Sequence, residues 1–317
     1  MDVVNRPRSA GAINPSDGVE AQREPTSLLS RAVLVAFCVV AGFAYRASVS
    51  LIPAGIGESA FVLGLAALLL VLSLLARRRR SLNKYWQIPF AFFVFAIAGF
   101  FGDGSISPIQ HWFVRDVLRE TTSANNPIAS SVSGMVLAQL FGTLILVTPI
   151  VALTRVSGSP LSSIFLNRPA NWWGPAIGVI AFLLIYLLAA RGRTASFFPT
   201  NGAISSARFI ALTPALLVLV LLNGFREELW FRGLFLNKYG RLLSSLSSNL
   251  LAAIIFTSFH VQAQYSASIV IFLAYALING LILGWLMQRT RSIIASTIFH
   301  AGTDIPIFLV YLSYASS

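Results

Sequence analysis

The chain predicts an all-α fold, a polytopic transmembrane helix bundle of about eight or nine spans, and three observations carry that prediction. First, 56% of its 317 residues are hydrophobic and only 11% are charged, against roughly 25% charged in ordinary soluble domains; the mean hydropathy is +0.76. Second, the apolar residues fall into nine segments, at about 32–52, 60–76, 88–101, 133–154, 173–190, 207–231, 247–262, 268–287 and 293–313. Third, these segments lack the ten-residue alternation of barrel strands, and in lipid that leaves helices as the structure able to satisfy its own backbone.

The elements follow in order. Residues 1–27 are polar, rich in Pro, Ser, Glu and Arg, and read as a disordered tail with no cleavable signal. Residues 28–130 hold the first transmembrane helices, for which the sequence suggests no role. The 102–132 stretch, with "IQHWFVRDVLRE", reads as an interfacial amphipathic helix in which His111 is a surface residue. Residues 131–317 hold the remaining segments. Several segments are shorter than the roughly 20 residues a spanning helix needs, which leaves the count between eight and nine.

The net charge of +12 does not indicate nucleic acid. The basic residues sit in short clusters between apolar spans: "RRRR" at 77–80 with Lys84, then Arg155 and Arg168, Lys238 and Arg241, and Arg289 and Arg291. With nine spans these share one side with the N-terminus, which the positive-inside rule makes cytoplasmic. The protein is therefore expected in a membrane, the plasma or inner membrane if the cell is prokaryotic, in contact with lipid. The single cysteine, Cys38, excludes a disulfide framework and a Cys-based metal site.

Of eleven acidic residues, eight (Asp2, Asp17, Glu20, Glu24, Glu58, Asp103, Asp116 and Glu120) lie in the tail or loops of the first 120 residues. The other three, Glu227, Glu228 and Asp304, stand in apolar surroundings, as do His260 and His300. An ionisable group inside a span costs about 2.5–3.5 kcal/mol on insertion scales and faces the bundle interior for a reason. Packing accounts for each motif singly: Glu228 and Arg232 pair at i, i+4, His260 is a core histidine, and His300 and Asp304 hold one another. It accounts poorly for all of them together.

On a regular helix Glu227 lies roughly 140° from Arg232, so the arginine serves Glu228 and leaves Glu227 without a cation at helical spacing. Counted from helix ends near Gly240, Ser247 and Arg291, Glu227, His260 and His300 lie 13, 13 and 9 residues in. These are depths of roughly 20, 20 and 14 Å in a core of about 30 Å, so the three groups are expected in one cavity.

"EELWFR" (Glu227–Arg232), "FTSFH" (Phe256–His260) and "HAGTD" (His300–Asp304) resemble the successive motifs EExxxR, FxxxH and HxxxN/D of the CPBP family. These are the CAAX-protease and bacteriocin-processing intramembrane endopeptidases, also called the Abi family, and the chain looks like a type II CAAX prenyl protease. The resemblance covers residues 205–313 and makes 131–317 the protease domain. It implies an endopeptidase acting on a membrane-bound or lipidated peptide substrate. In the family Glu227 and His260 would activate a water, while His300 and Asp304 would stabilise the oxyanion. Glu228, Arg232 and Phe256 would be supports. The last motif often ends in Asn where this chain has Asp304, and an ionised aspartate either takes up a proton or orients His300.

No cofactor is required on this reading, which is metal-free. Zinc held by Glu227, His260 and His300 is the alternative, since His₂Glu is a catalytic zinc set. Other intramembrane proteases fit worse: there is no HExxH, Phe100 stands where GxGD needs glycine, and "SVSG" at 131–134 lacks the first glycine of GxSG. Two other classes compete, a proton-coupled transporter and a catalytically silent immunity or scaffold protein. The first predicts internal repeats, which the sequence lacks. Against the second stands the complete motif set.

Overall fold

A computed structural model describes residues 27–51, 56–261 and 266–316. The polar tail expected over 1–27 lies outside them except for Ser27. The helices are α1 (Leu28–Leu51), α2 (Ile56–Arg78), α3 (Gln87–Gly102), the short α4 (Pro108–Trp112), α5 (Val132–Val156), α6 (Trp173–Ala190), α7 (Ser206–Glu227), α8 (Leu236–Gly240), α9 (Ser245–Ser258), α10 (Ile269–Thr290) and α11 (Ile293–Tyr314). Among the described residues eight helical stretches are long and apolar enough to cross a membrane. One of them runs through α7 to α8 over Ser206–Gly240, while α9 is a shorter apolar helix. Each of the nine apolar segments is thus helical over most of its described length.

The interfacial helix expected within 102–132 is only α4 and a π-helical turn, Phe113–Val117. His111 Nε2 lies 2.8 Å from the Gly104 carbonyl oxygen at the surface.

Serine starts each helix that carries a motif. Ser205, Ser244 and Ser292 hold the first turns of α7, α9 and α11, their hydroxyls accepting from Arg208 N, Ser247 N and Ile294 N at 3.2, 3.0 and 3.4 Å. These caps satisfy amides that a helix start leaves unpaired.

Helix α11 is central: 83% of its spanning window is buried, against 22–56% for the other spans. It packs on α6, α7 and α10. Leu68 and Val71 on α2, and Ile180 and Leu184 on α6, remain exposed, as side chains facing lipid would be. Close approach of α7 to α11 depends on Gly224, where a Cβ would sit 3.0 Å from Thr297 O and 3.1 Å from Ala301 N. That crossing sets Asn223 and Glu227 against the turn carrying His300 and Asp304.

The N-terminal helices, for which the sequence suggested no role, brace the second motif. Arg46 on α1 donates from Nε to Ser258 O at 3.2 Å, at the C-terminal end of α9, where carbonyls lack helical partners. Tyr45 stacks on Phe259 at 5.7 Å between ring centroids, and Trp230 Nε1 donates to Phe95 O of α3 at 2.9 Å.

The loops with the basic clusters meet at one end of the bundle. There Arg241 bonds Gln87, Asn237 bonds Ser162 and Ser163, and Ala170 N bonds Thr290 O.

Gly224→Val is expected to lower stability by about 1–3 kcal/mol, the range for overpacking, read as a lower thermal midpoint in detergent. The same change at Gly64, where a Cβ meets nothing within 4 Å, is expected to leave the midpoint near that of the unchanged protein. Equal midpoints for the two variants would contradict the tight α7–α11 crossing.

Candidate active site

The first motif falls where α7 stops being regular. Glu228–Gly233 form a π-helical turn, closed by a bond from Leu234 N to Leu229 O at 3.1 Å. Single π turns inside helices recur at functional sites because they re-aim side chains. Glu228 and Arg232 still meet as an i, i+4 ion pair, both fully buried. The same oxygen, Glu228 Oε1, lies 2.8 Å from His300 Nδ1. Glu228 therefore joins α11 to α7 as well as neutralising the arginine.

A carboxylate at Nδ1 makes that nitrogen the donor, so Nε2 carries a hydrogen only when the ring is an imidazolium. Nε2 faces the other two acids, 3.7 Å from Glu227 Oε2 and 3.6 Å from Asp304 Oδ1. These are ion-pair distances, longer than hydrogen bonds. Of the three carboxylates Glu227 is the most open, with its side chain 18% exposed. Glu228 is sealed and Asp304 nearly so.

Two site residues escaped the sequence reading. Asn223, one turn before Glu227, donates from Nδ2 to Glu227 Oε1 at 3.0 Å and to Asp304 Oδ2 at 2.9 Å. Its Oδ1 accepts from Gln139 Nε2 of α5 at 3.1 Å. The signal for Asn223 was present: a lone amide in the apolar run "VLVLLNGF", spaced i, i+4 from Glu227.

His260 lies near enough to this cluster to interact electrostatically with Glu227 and His300. It lies in the turn after α9, with Nδ1 3.0 Å from Phe256 O of its own chain segment, and Nε2 is left as its acceptor. Phe256 stands between the motifs. Its ring centroid is 4.6 Å from that of His260 and 5.7 Å from that of His300, and the Arg232 guanidinium lies over its face at 4.4 Å. The two imidazoles flank one phenyl ring, and Glu227 and His300 approach directly.

Among the described residues no three His, Cys, Asp or Glu side chains stand where they could share a metal ion. Each histidine has Nδ1 committed to an acceptor.

Residues 209–306 match the model of a family described as Rce1-like, type II CAAX prenyl endopeptidase Rce1-like. This part of the chain is similar to a domain of that family, and it contains all three motifs. No curated protein and no solved structure matches the chain. Helices α1–α6, including Gln139 and the brace on α9, lie outside the matched residues.

Arg232→Ala is expected to cost about 3–5 kcal/mol, because it leaves Glu228 buried with only His300 beside it. Yield and thermal midpoint in detergent should both fall. An unchanged midpoint would mean that Glu228 stays buried without needing the arginine's charge.

Proposed function

We propose that the chain is an intramembrane endopeptidase that hydrolyses a peptide bond in a membrane-bound or lipidated substrate, with Glu227 as its base. The observation that carries this reading is the carboxylate of Glu227, the one partly open acid of the cluster, facing His300 Nε2 in a stretch similar to a domain of a prenyl-endopeptidase family. We also place the basic end of the bundle in the cytoplasm, where the positive-inside rule puts it.

The chemistry follows from the side chains. Glu227 takes a proton from a water as the water oxygen bonds to the scissile carbonyl carbon. The free Nε2 of His260, its other nitrogen being held by Phe256 O, suits the water's second hydrogen. Negative charge then develops on the carbonyl oxygen, and an imidazolium hydrogen on His300 Nε2 donates to it. Glu228 at Nδ1 stabilises that imidazolium, the part a buried carboxylate plays towards a catalytic histidine. As the C–N bond breaks, Glu227 returns its proton to the leaving amine. Asp304 and Glu227 hold His300 from the Nε2 side, so Asp304 orients the ring rather than donating to the oxyanion. Remote binding through a lipid or an apolar segment supplies the proximity that a buried site needs.

The test is cleavage by the full chain in detergent, with C-terminal peptides carrying or lacking a prenyl group and with leader-type peptides. Glu227→Gln keeps the side chain's shape and removes the base, so turnover should fall by about 10²–10⁴-fold with the thermal midpoint unchanged. Near wild-type turnover in Glu227→Gln would overturn the assignment and make Glu228 the candidate base. A silent scaffold would cleave nothing in either form.

A further inference from the structure

We propose that Asn223, fixed by Gln139, is a positioning residue that clamps Glu227 and Asp304 into one carboxylate pair. The proposal rests on the endopeptidase reading for its consequence, and on geometry alone for its existence.

Asn223 and Gln139 are 8% and 3% exposed, so their amides must find partners inside the protein. The orientation of Asn223 follows from those partners. Its NH₂ has two hydrogens, and two carboxylate oxygens, Glu227 Oε1 and Asp304 Oδ2, lie 3.0 and 2.9 Å away. Turned over, the amide would set its oxygen against both carboxylates and its nitrogen against the donor Nε2 of Gln139. Every contact would then be repulsive. Gln139 Nε2 at 3.1 Å from Oδ1 therefore selects the working orientation.

The remaining oxygens of the two acids, Glu227 Oε2 and Asp304 Oδ1, face His300 Nε2 at 3.7 and 3.6 Å. Two acids from different helices are thus bridged on one side by an amide and on the other by an imidazole. Two carboxylates this close repel unless donors stand between them. Ionised, Asp304 carries no donor of its own. Helix α7 supplies the amide one turn before the base, and α5 fixes it from outside the matched residues. The clamp sets the direction of the Glu227 carboxylate, and a misdirected base loses rate without losing substrate.

The experiment compares Asn223→Asp, Asp304→Asn and the double variant that carries both, in the full chain in detergent, by cleavage kinetics and thermal midpoint. Asn223→Asp puts a third carboxylate in contact with two others. Adding Asp304→Asn returns one amide to two carboxylates. Asn223→Asp should lower kcat by about 10²-fold with little change in KM, as expected for misplacement. The double variant should recover at least about tenfold over that single. Its midpoint should lie above the sum of the two single shifts by at least about 2 °C, as coupled contacts require. Gln139→Leu should lower kcat in the same sense, and Gln139→Glu, which loses the donor, should not rescue it.

A double variant no faster than Asn223→Asp, with additive midpoints, would overturn the clamp. If the unchanged protein cleaves no peptide while the midpoints still couple, the clamp stands and the endopeptidase reading falls. If it cleaves and the midpoints do not couple, the clamp falls and the endopeptidase reading stands.

Discussion

The contact on which the rest depends is the one at Glu228 Oε1, which meets Arg232 on its own helix and His300 on α11. Inside an apolar bundle a lone carboxylate would be intolerable, and the usual remedy is a partner of opposite charge. Here one oxygen serves two cation-forming groups, so neutralising the charge also fixes the rotation of an imidazole. Phe256 lies against the guanidinium, which lies over its face, and against the ring of His300. Once those positions are set, His300 Nε2 can point only towards Glu227 and Asp304. An ion pair of doubtful net worth to stability becomes the reference frame for the polar centre.

The scaffold answers to that frame. A π turn lets consecutive glutamates do different work, Glu228 sealed and Glu227 partly open. Gly224 allows α7 to approach the backbone of α11, the most buried helix of the bundle. From the other side Arg46 and Tyr45 of α1 hold the end of α9 and the ring of Phe259, next to His260. The first half of the chain, which carries no motif, thus reaches the site through α1 at one edge and through Gln139 of α5 at the other.

Much of this was legible in the sequence, and the reasons are local. Apolar runs in lipid can only be helices, so every segment from 32–52 to 293–313 could be read without tertiary knowledge. Glu228 and Arg232 are four apart on one helix, a spacing that survives even in the π turn. Contacts between helices were not legible, because no spacing rule reaches across them. The bond from His300 to Glu228 spans 72 positions and that from Gln139 to Asn223 spans 84. The expected depth of His260 assumed a helix continuing through "FTSFH", but α9 ends at Ser258 and the histidine lies in the turn beyond. That turn commits His260 Nδ1 to Phe256 O, leaving only Nε2 for the shared cavity that the sequence implied. Asn223 was the recoverable omission. An amide one turn from a buried acid has few other uses.

The central claim is that the Glu228–Arg232 pair is kept to orient His300 and not to stabilise the bundle, and replacing both charges tests it most directly. The full chain carrying Glu228→Gln together with Arg232→Met would be unfolded thermally in detergent and assayed for peptide cleavage. Neutral, well-packed replacements of a buried ion pair are commonly neutral or stabilising, so the thermal midpoint should be at or above that of the unchanged protein. Turnover should nevertheless fall by about 10²-fold or more, because the imidazolium loses the carboxylate at Nδ1. A double variant that is folded and cleaves at the unchanged rate would contradict the account, and the pair would then be packing alone.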